Sequence, residues 1–134
     1  MAELAAKNAR ERVAIDVAAE APPLVPAAPV AIDRVHLARM TQGERDLERE
    51  VLQLYVTQAD ILLCRMGQSP SAAIAALAHT LKGSSRGIGA WQVADAAAVV
   101  EADAVEGRDT AASVERLAAA IRAAQVDIAE LVRG

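Results

Sequence analysis

Phenylalanine is absent from this 134-residue chain, and Tyr55 and Trp91 are its only aromatic residues. A core without aromatic bulk must be filled by Ala, Val, Leu and Ile, which is feasible because 54% of the sequence is hydrophobic. Cysteine is limited to Cys64, so no internal disulfide can form, and no Cys/His cluster has the spacing of a metal site. Basic residues are in the minority. The net charge of −4 excludes the basic face that a nucleic-acid footprint needs. No run approaches the roughly 18 apolar residues of a membrane span, and the first residues lack the basic start and apolar stretch of a signal peptide. The expected setting is therefore soluble and cytoplasmic, with no membrane or nucleic-acid partner. The length fits one domain with one core.

What the sequence does have is alanine, with few strong strand formers other than valine, and this composition favours helices. Residues 1–20 combine good helix propensity with no clean apolar stripe, so a lone helix and a frayed tail stand level. Four of the five prolines fall in residues 21–31, which read as an extended linker. The division expected is an extension over 1–31 and a compact domain over 32–134. Asp33 is a suitable N-cap for a short helix to about Met40, which Thr41-Gln42-Gly43 ends.

A long helix follows from about Glu44 to Met66, with Leu47, Val51, Leu54, Tyr55, Ile61 and Leu62 as its expected inward side. Gly67-Gln68-Ser69-Pro70 is a turn, and Ser69 or Pro70 opens a third helix. That helix runs to about Ile88, where Gly87 and Gly89 supply a stop. A fourth covers Trp91 to Val105 and ends at Gly107. Asp109 or Thr110 caps a fifth, in which Val114, Leu117, Ile121, Ala124, Ile128 and Leu131 recur at near-heptad spacing. The fold class predicted is all-α: an antiparallel up-and-down four-helix bundle with a short extra N-terminal helix. With no long exposed apolar seam, a monomer is expected.

The third helix carries the chemistry. With His79 at zero on a helical wheel, Ile74, Leu77, Leu81 and Ile88 cluster within about 40° of the opposite point. His79 is therefore expected to face outward, together with Ala72, Ala75, Ala76, Lys82, Gly83 and Arg86. Lys82 and Arg86 can neutralise an anion carried on the ring. Glycine inside a helix costs about 1 kcal/mol relative to alanine, and here it leaves the space beside the imidazole open. A surface histidine among cations is more often a solvated face than a site, and these residue types alone do not separate the two readings.

The run AHTLKGSSRGIGA, residues 78–90, resembles the signature of histidine-containing phosphotransfer domains. The similarity extends more loosely from residue 32 to about residue 130. The resemblance implies that His79 is phosphorylated, that Lys82 steadies the phosphoryl oxygens and that Gly83 gives access. It also implies that Ser84 and Ser85 are small packing residues and that Gly89 is the helix stop. Glu101, twenty-two positions after His79, stands where the family often has Glu or Gln reaching towards the histidine.

A phosphocarrier rather than an enzyme follows from this resemblance, with no nucleotide site and no cofactor of its own. The family's implied donor is a receiver-domain phosphoaspartate and its acceptor an aspartate on a second receiver, with Mg²⁺ brought by the receiver. Neutral His79 would attack through Nε2 while Glu101 fixes the tautomer from the other nitrogen. Two alternatives stay open at this level. One is a phosphoacceptor domain phosphorylated directly by a histidine kinase; the other is a scaffold that binds a receiver without transfer. Elsewhere, His36 is assigned to packing or solvation, Cys64 to a reduced residue on or near a core face, and Tyr55 and Trp91 to filling the bundle. Lys82-Gly83-Ser84 has the wrong order and context for a phosphate-binding loop.

Overall fold

A computed structural model describes residues 31–134. The expectations for residues 1–30, a helix or tail followed by a proline-rich linker, lie outside the described residues. Five helices follow in order: α1 (Arg34–Thr41), α2 (Arg45–Met66), α3 (Ser71–Ile88), α4 (Trp91–Val105) and α5 (Ala111–Arg133). Among the described residues there is no strand, and no helix is long and apolar enough to cross a membrane. Helix α3 packs between α2 and α4, α4 packs on α5, and α5 closes back on α2, while α1 lies against α2 and α3. Short turns and side-by-side packing of successive helices give the expected four-helix bundle with an added short helix.

The core is aliphatic, with Tyr55 its single buried aromatic ring. Helix α2 contributes Leu52, Tyr55, Ala59, Leu62 and Met66, spaced alternately by three and four residues. This corrects the inward side assigned from the sequence. Leu47, Leu54 and Ile61 are exposed and Val51 is half-buried. Two apolar stripes lie side by side on α2, and the one that carries Leu47, Leu54 and Ile61 faces away from the bundle, while Ala59 in the inward one leaves room for the neighbouring helices.

Helix α3 shows the same economy. Its buried residues are Ile74, Ala78, Leu81, Ser85 and Ile88, and Leu77 is only half-buried, contrary to expectation. The buried stripe is therefore rotated towards Ala78, and His79 sits about 140° around the helix from its centre rather than directly opposite. That rotation turns the histidine towards α4. Helix α4 lays Val93, Ala94, Ala97, Val100 and Ala104 into the core, and α5 lays Leu117, Ile121, Ala124 and Ile128.

The end of the bundle near α1 is held by polar contacts. The Ile32 amide donates to Asp127 Oδ2 at 3.0 Å, and the Asp33 amide donates to the Gly89 carbonyl at 2.9 Å. Asp33 caps α1 by accepting from the His36 amide at 3.0 Å and accepts from the Trp91 indole at 2.9 Å. Gly89 ends α3 with φ of +84°, a left-handed conformation that glycine adopts without strain. A Cβ there would also lie 3.0 Å from Asp33 Cβ and from the Asp33 carbonyl oxygen, so this close approach needs glycine twice over.

Three further assignments are refined by this packing. Trp91 is 41% exposed and rests edge-on against His36, with ring centroids 4.9 Å apart, instead of filling the bundle. His36 is half-buried and its Nε2–H donates to the Gly87 carbonyl at 3.2 Å, a packing role as expected. Cys64 is exposed, not on a core face, because it lies between the inward residues Leu62 and Met66 on the outer side of α2.

Candidate functional site

His79 projects from the middle of α3, on a side of the helix that no other helix covers among the described residues. Its side chain is 68% exposed. The Nδ1 atom lies 3.0 Å from Glu101 Oε2 on α4, and Lys82 Nζ donates to Glu101 Oε1 at 2.8 Å. One carboxylate thus serves two groups one turn apart on the neighbouring helix. The Glu101 and Lys82 side chains are 24% and 19% exposed, so both are more enclosed than the imidazole they flank.

The Lys82 hydrogen bond holds the Glu101 carboxyl below its usual range; partial burial opposes this, and the His79 hydrogen bond and the two nearby charges reinforce it. An ionised carboxylate can only accept hydrogen bonds. Nδ1 must therefore carry the hydrogen, and in the neutral ring the lone pair is left on Nε2, the outer nitrogen. The site presents a nucleophilic nitrogen to solvent with its tautomer fixed from behind, the arrangement by which a carboxylate orients a working imidazole.

Gly83, one turn beyond His79, is exposed, and a Cβ placed there would meet nothing within 4 Å. The absent side chain is not required by packing inside the domain. Arg86 is exposed and stands outside the Glu101 network. Of the residues singled out in the sequence, the structure brings His79, Lys82 and Glu101 into contact, places Gly83 beside them, and leaves Arg86 exposed on the same side of α3, with no ion pair among the described residues. Ser85 is fully buried and bonds the Tyr55 hydroxyl at 2.7 Å, while Ser84 is half-buried, so both act as small packing residues.

A feature missed in the sequence lies on the other flank of α3. Val51, Leu54, Tyr55, Gln58, Ser84 and Ile88 line an open, largely apolar groove between α2 and α3. Leu54 is 67% exposed at its rim. The sequence pattern places Val51 and Leu54 on the inward face of α2, whereas the structure puts them at this groove together with Gln58. Among the described residues, no group of three or more His, Cys, Asp or Glu is placed to hold a metal ion.

Comparison with known proteins agrees with the fold. The family model described as "Hpt domain" matches residues 37–127. Among solved structures, the chain is similar to histidine-containing phosphotransfer protein B (HptB) from Pseudomonas aeruginosa PAO1. That match has a TM-score of 0.58 and 21% sequence identity, and covers 79% of this chain and 91% of that one. At this identity the likeness is one of fold. No curated protein matches the chain.

Proposed function

Since the chain belongs to the Hpt domain family, whose members are phosphocarriers in phosphorelays, we propose that it accepts a phosphoryl group on His79 from a receiver-domain phosphoaspartate and passes it to an aspartate of another receiver. The observation that carries this reading is the exposed imidazole whose Nδ1 is bound to Glu101, leaving Nε2 as the free nucleophile. In the transfer, the Nε2 lone pair attacks phosphorus in line with the departing carboxylate oxygen. Docking of the receiver supplies the alignment, and most of the gain over reaction in water comes from that positioning. Lys82 lies one turn from the ring, where its ammonium can turn to the phosphoryl oxygens. Mg²⁺ comes with the receiver, because Glu101 is already committed to His79 and Lys82.

The apolar groove between α2 and α3 and the bare backbone at Gly83 favour a protein partner that docks across α3. The test is labelling of the domain from a phosphorylated receiver, with wild type beside His79→Gln. Wild type should gain a label that is acid-labile and, once the protein is denatured, base-stable, and the variant should remain folded and unlabelled. Undiminished labelling of His79→Gln would refute the assignment, and His36, the only other histidine, would then be examined.

A further inference from the structure

We infer that Glu101 keeps a proton on His79 Nδ1 throughout the phosphorylated state, so that the phosphoryl group is held in a labile form and handed on rather than stored. This deepens the phosphocarrier reading and rests on it. Before any reaction the hydrogen sits on Nδ1. Glu101 Oε2 lies 3.0 Å from Nδ1, and the other oxygen of the same carboxylate takes the Lys82 ammonium at 2.8 Å. Lys82 keeps Glu101 an anion, so Glu101 does not remove the ring's hydrogen but accepts its hydrogen bond.

The electron count follows directly. When Nε2 attacks, the N–P bond forms and the donor's O–P bond breaks, its electron pair leaving with the donor carboxylate. Nδ1 retains its hydrogen, and the ring now bears a positive charge beside the Glu101 carboxylate. In the onward step an acceptor oxygen bonds to phosphorus, the N–P bond breaks, and its electron pair returns to Nε2. The ring leaves as neutral imidazole. No proton moves in either direction.

Loss of the Nδ1 hydrogen would change this outcome. The leaving group would then be an imidazolate, a far poorer one, and the N–P bond would persist. It would also set the Nδ1 lone pair against a carboxylate oxygen with no hydrogen between them. A hydrogen bond to the charged form of a group favours that form. The ionisable groups facing the ring are Glu101 from α4 and Lys82 from its own helix, with Arg86 exposed two turns on. Among the described residues, α1, α2 and α5 contribute no ion pair to His79 or Glu101.

Two carboxylate contacts with opposite consequences emerge from one residue. Lys82 steadies the phosphoryl group, whereas Glu101 makes the bond that holds it easier to break. Glu101→Gln should therefore lengthen the life of phospho-His79, and Lys82→Ala should shorten it.

The test needs no receiver. The full chain is phosphorylated with phosphoramidate, the excess is removed, and hydrolysis at mildly alkaline pH is followed by the loss of label from His79. Free phosphohistidine is stable there because its ring has lost the proton. Wild type should hydrolyse about fivefold faster than Glu101→Gln, the difference expected between a charged and a neutral hydrogen-bond acceptor. Nitrogen-15 shifts of the phosphorylated ring should show a larger share of N–H at Nδ1 in wild type than in the variant at the same pH. Glu101→Gln/Lys82→Ala keeps the effect of Glu101 separate from that of a released lysine, and it should still outlast Lys82→Ala. Equal lifetimes together with identical Nδ1 shifts would overturn the inference while leaving receiver-dependent transfer intact. Failure of transfer from any receiver, with the lifetime difference present, would instead overturn the phosphorelay reading alone. No label on His79 from phosphoramidate would remove both.

Discussion

The hydroxyl groups of Tyr55 and Ser85 meet at 2.7 Å inside the bundle and form the polar link between α2 and α3. Tyr55 is 5% exposed and Ser85 wholly buried, so neither hydroxyl has water to turn to. Tyr55→Phe removes one partner and strands the other, which should cost about 1–3 kcal/mol in chemical denaturation. Burial pushes the Tyr55 phenol up to about 12, although Ser85 opposes the shift. A raised tyrosine value means that its contribution to stability is intact below the phenol's unfolded value and is lost as pH rises through the folded one. As the only tyrosine, Tyr55 can be followed by its phenolate absorbance. Ionisation near pH 10 in the folded protein would contradict the buried pair.

Gly83→Leu should leave folding intact or improve it by up to about 1 kcal/mol, because leucine is the better helix former and nothing in the domain obstructs it. Transfer from a phosphorylated receiver should fall sharply. Thermal unfolding and transfer rates on the same preparation check both halves, and unchanged transfer would refute the access role.

The carboxylate of Asp33 should make the α1 end of the bundle sensitive to acid. Burial pushes its pKa up, but the Trp91 indole, the His36 amide and the nearby His36 ring together hold it below the usual value. For a depressed carboxylate the stability gained is present above the unfolded value and is lost as pH falls through the folded one. Asp33→Ala should cost about 0.5–2 kcal/mol at neutral pH through the lost cap. It should also flatten the acid side of the stability profile. Trp91 fluorescence reports the release of its indole contact. A variant with the wild-type acid profile would show that the contact contributes nothing.

Gly89→Ala combines a left-handed backbone with a Cβ that would crowd Asp33. A loss of at least about 1–2 kcal/mol is expected from the backbone alone. Gly87→Ala, where a Cβ meets nothing within 4 Å, is the matched control and should be neutral or stabilising. Equal melting temperatures for the two variants would remove the steric argument.

Lys82→Ala should slow transfer only in part, since a solvent-accessible ion pair contributes about 0–1 kcal/mol. Arg86 is exposed on the same side of α3, so Lys82→Ala/Arg86→Ala should be slower than either single variant, with the gap widest at low salt. Indistinguishable rates at low salt would leave the cations without a role in the chemistry.

The order and limits of the helices were readable because their stops are local: Gly89 after α3, the Gly67–Pro70 turn, and Asp33 before α1. His79, Lys82, Gly83 and Arg86 were readable for the same reason, as they fall within eight positions of one helix. Glu101 came only through family resemblance, since no local pattern on α4 identifies it as a partner of α3. The inward face of α2 is not fixed by spacing alone, because two apolar rows run side by side along that helix and periodicity does not say which one meets the bundle. Leu47, Leu54 and Ile61 are larger than Ala59, yet the small residue is the one that faces the neighbouring helices. The placement of Trp91 against His36 and Asp33 depends on α1 folding over the end of α3, a long-range contact that periodicity does not reveal.

The alanines of α3 and α4 give the reaction a mechanical tolerance. Ala78 on one helix and Ala94 and Ala97 on the other are buried methyl groups, with no longer side chain to flex or repack if the helices shift. The reach from Glu101 to His79 spans the same two helices, so the gap between their backbones acts as the gauge of that hydrogen bond. A larger residue at Ala97 is expected to lengthen the His79–Glu101 hydrogen bond, which the nitrogen-15 shift of Nδ1 would report. In this bundle the smallest side chains set the calibration of the most reactive one.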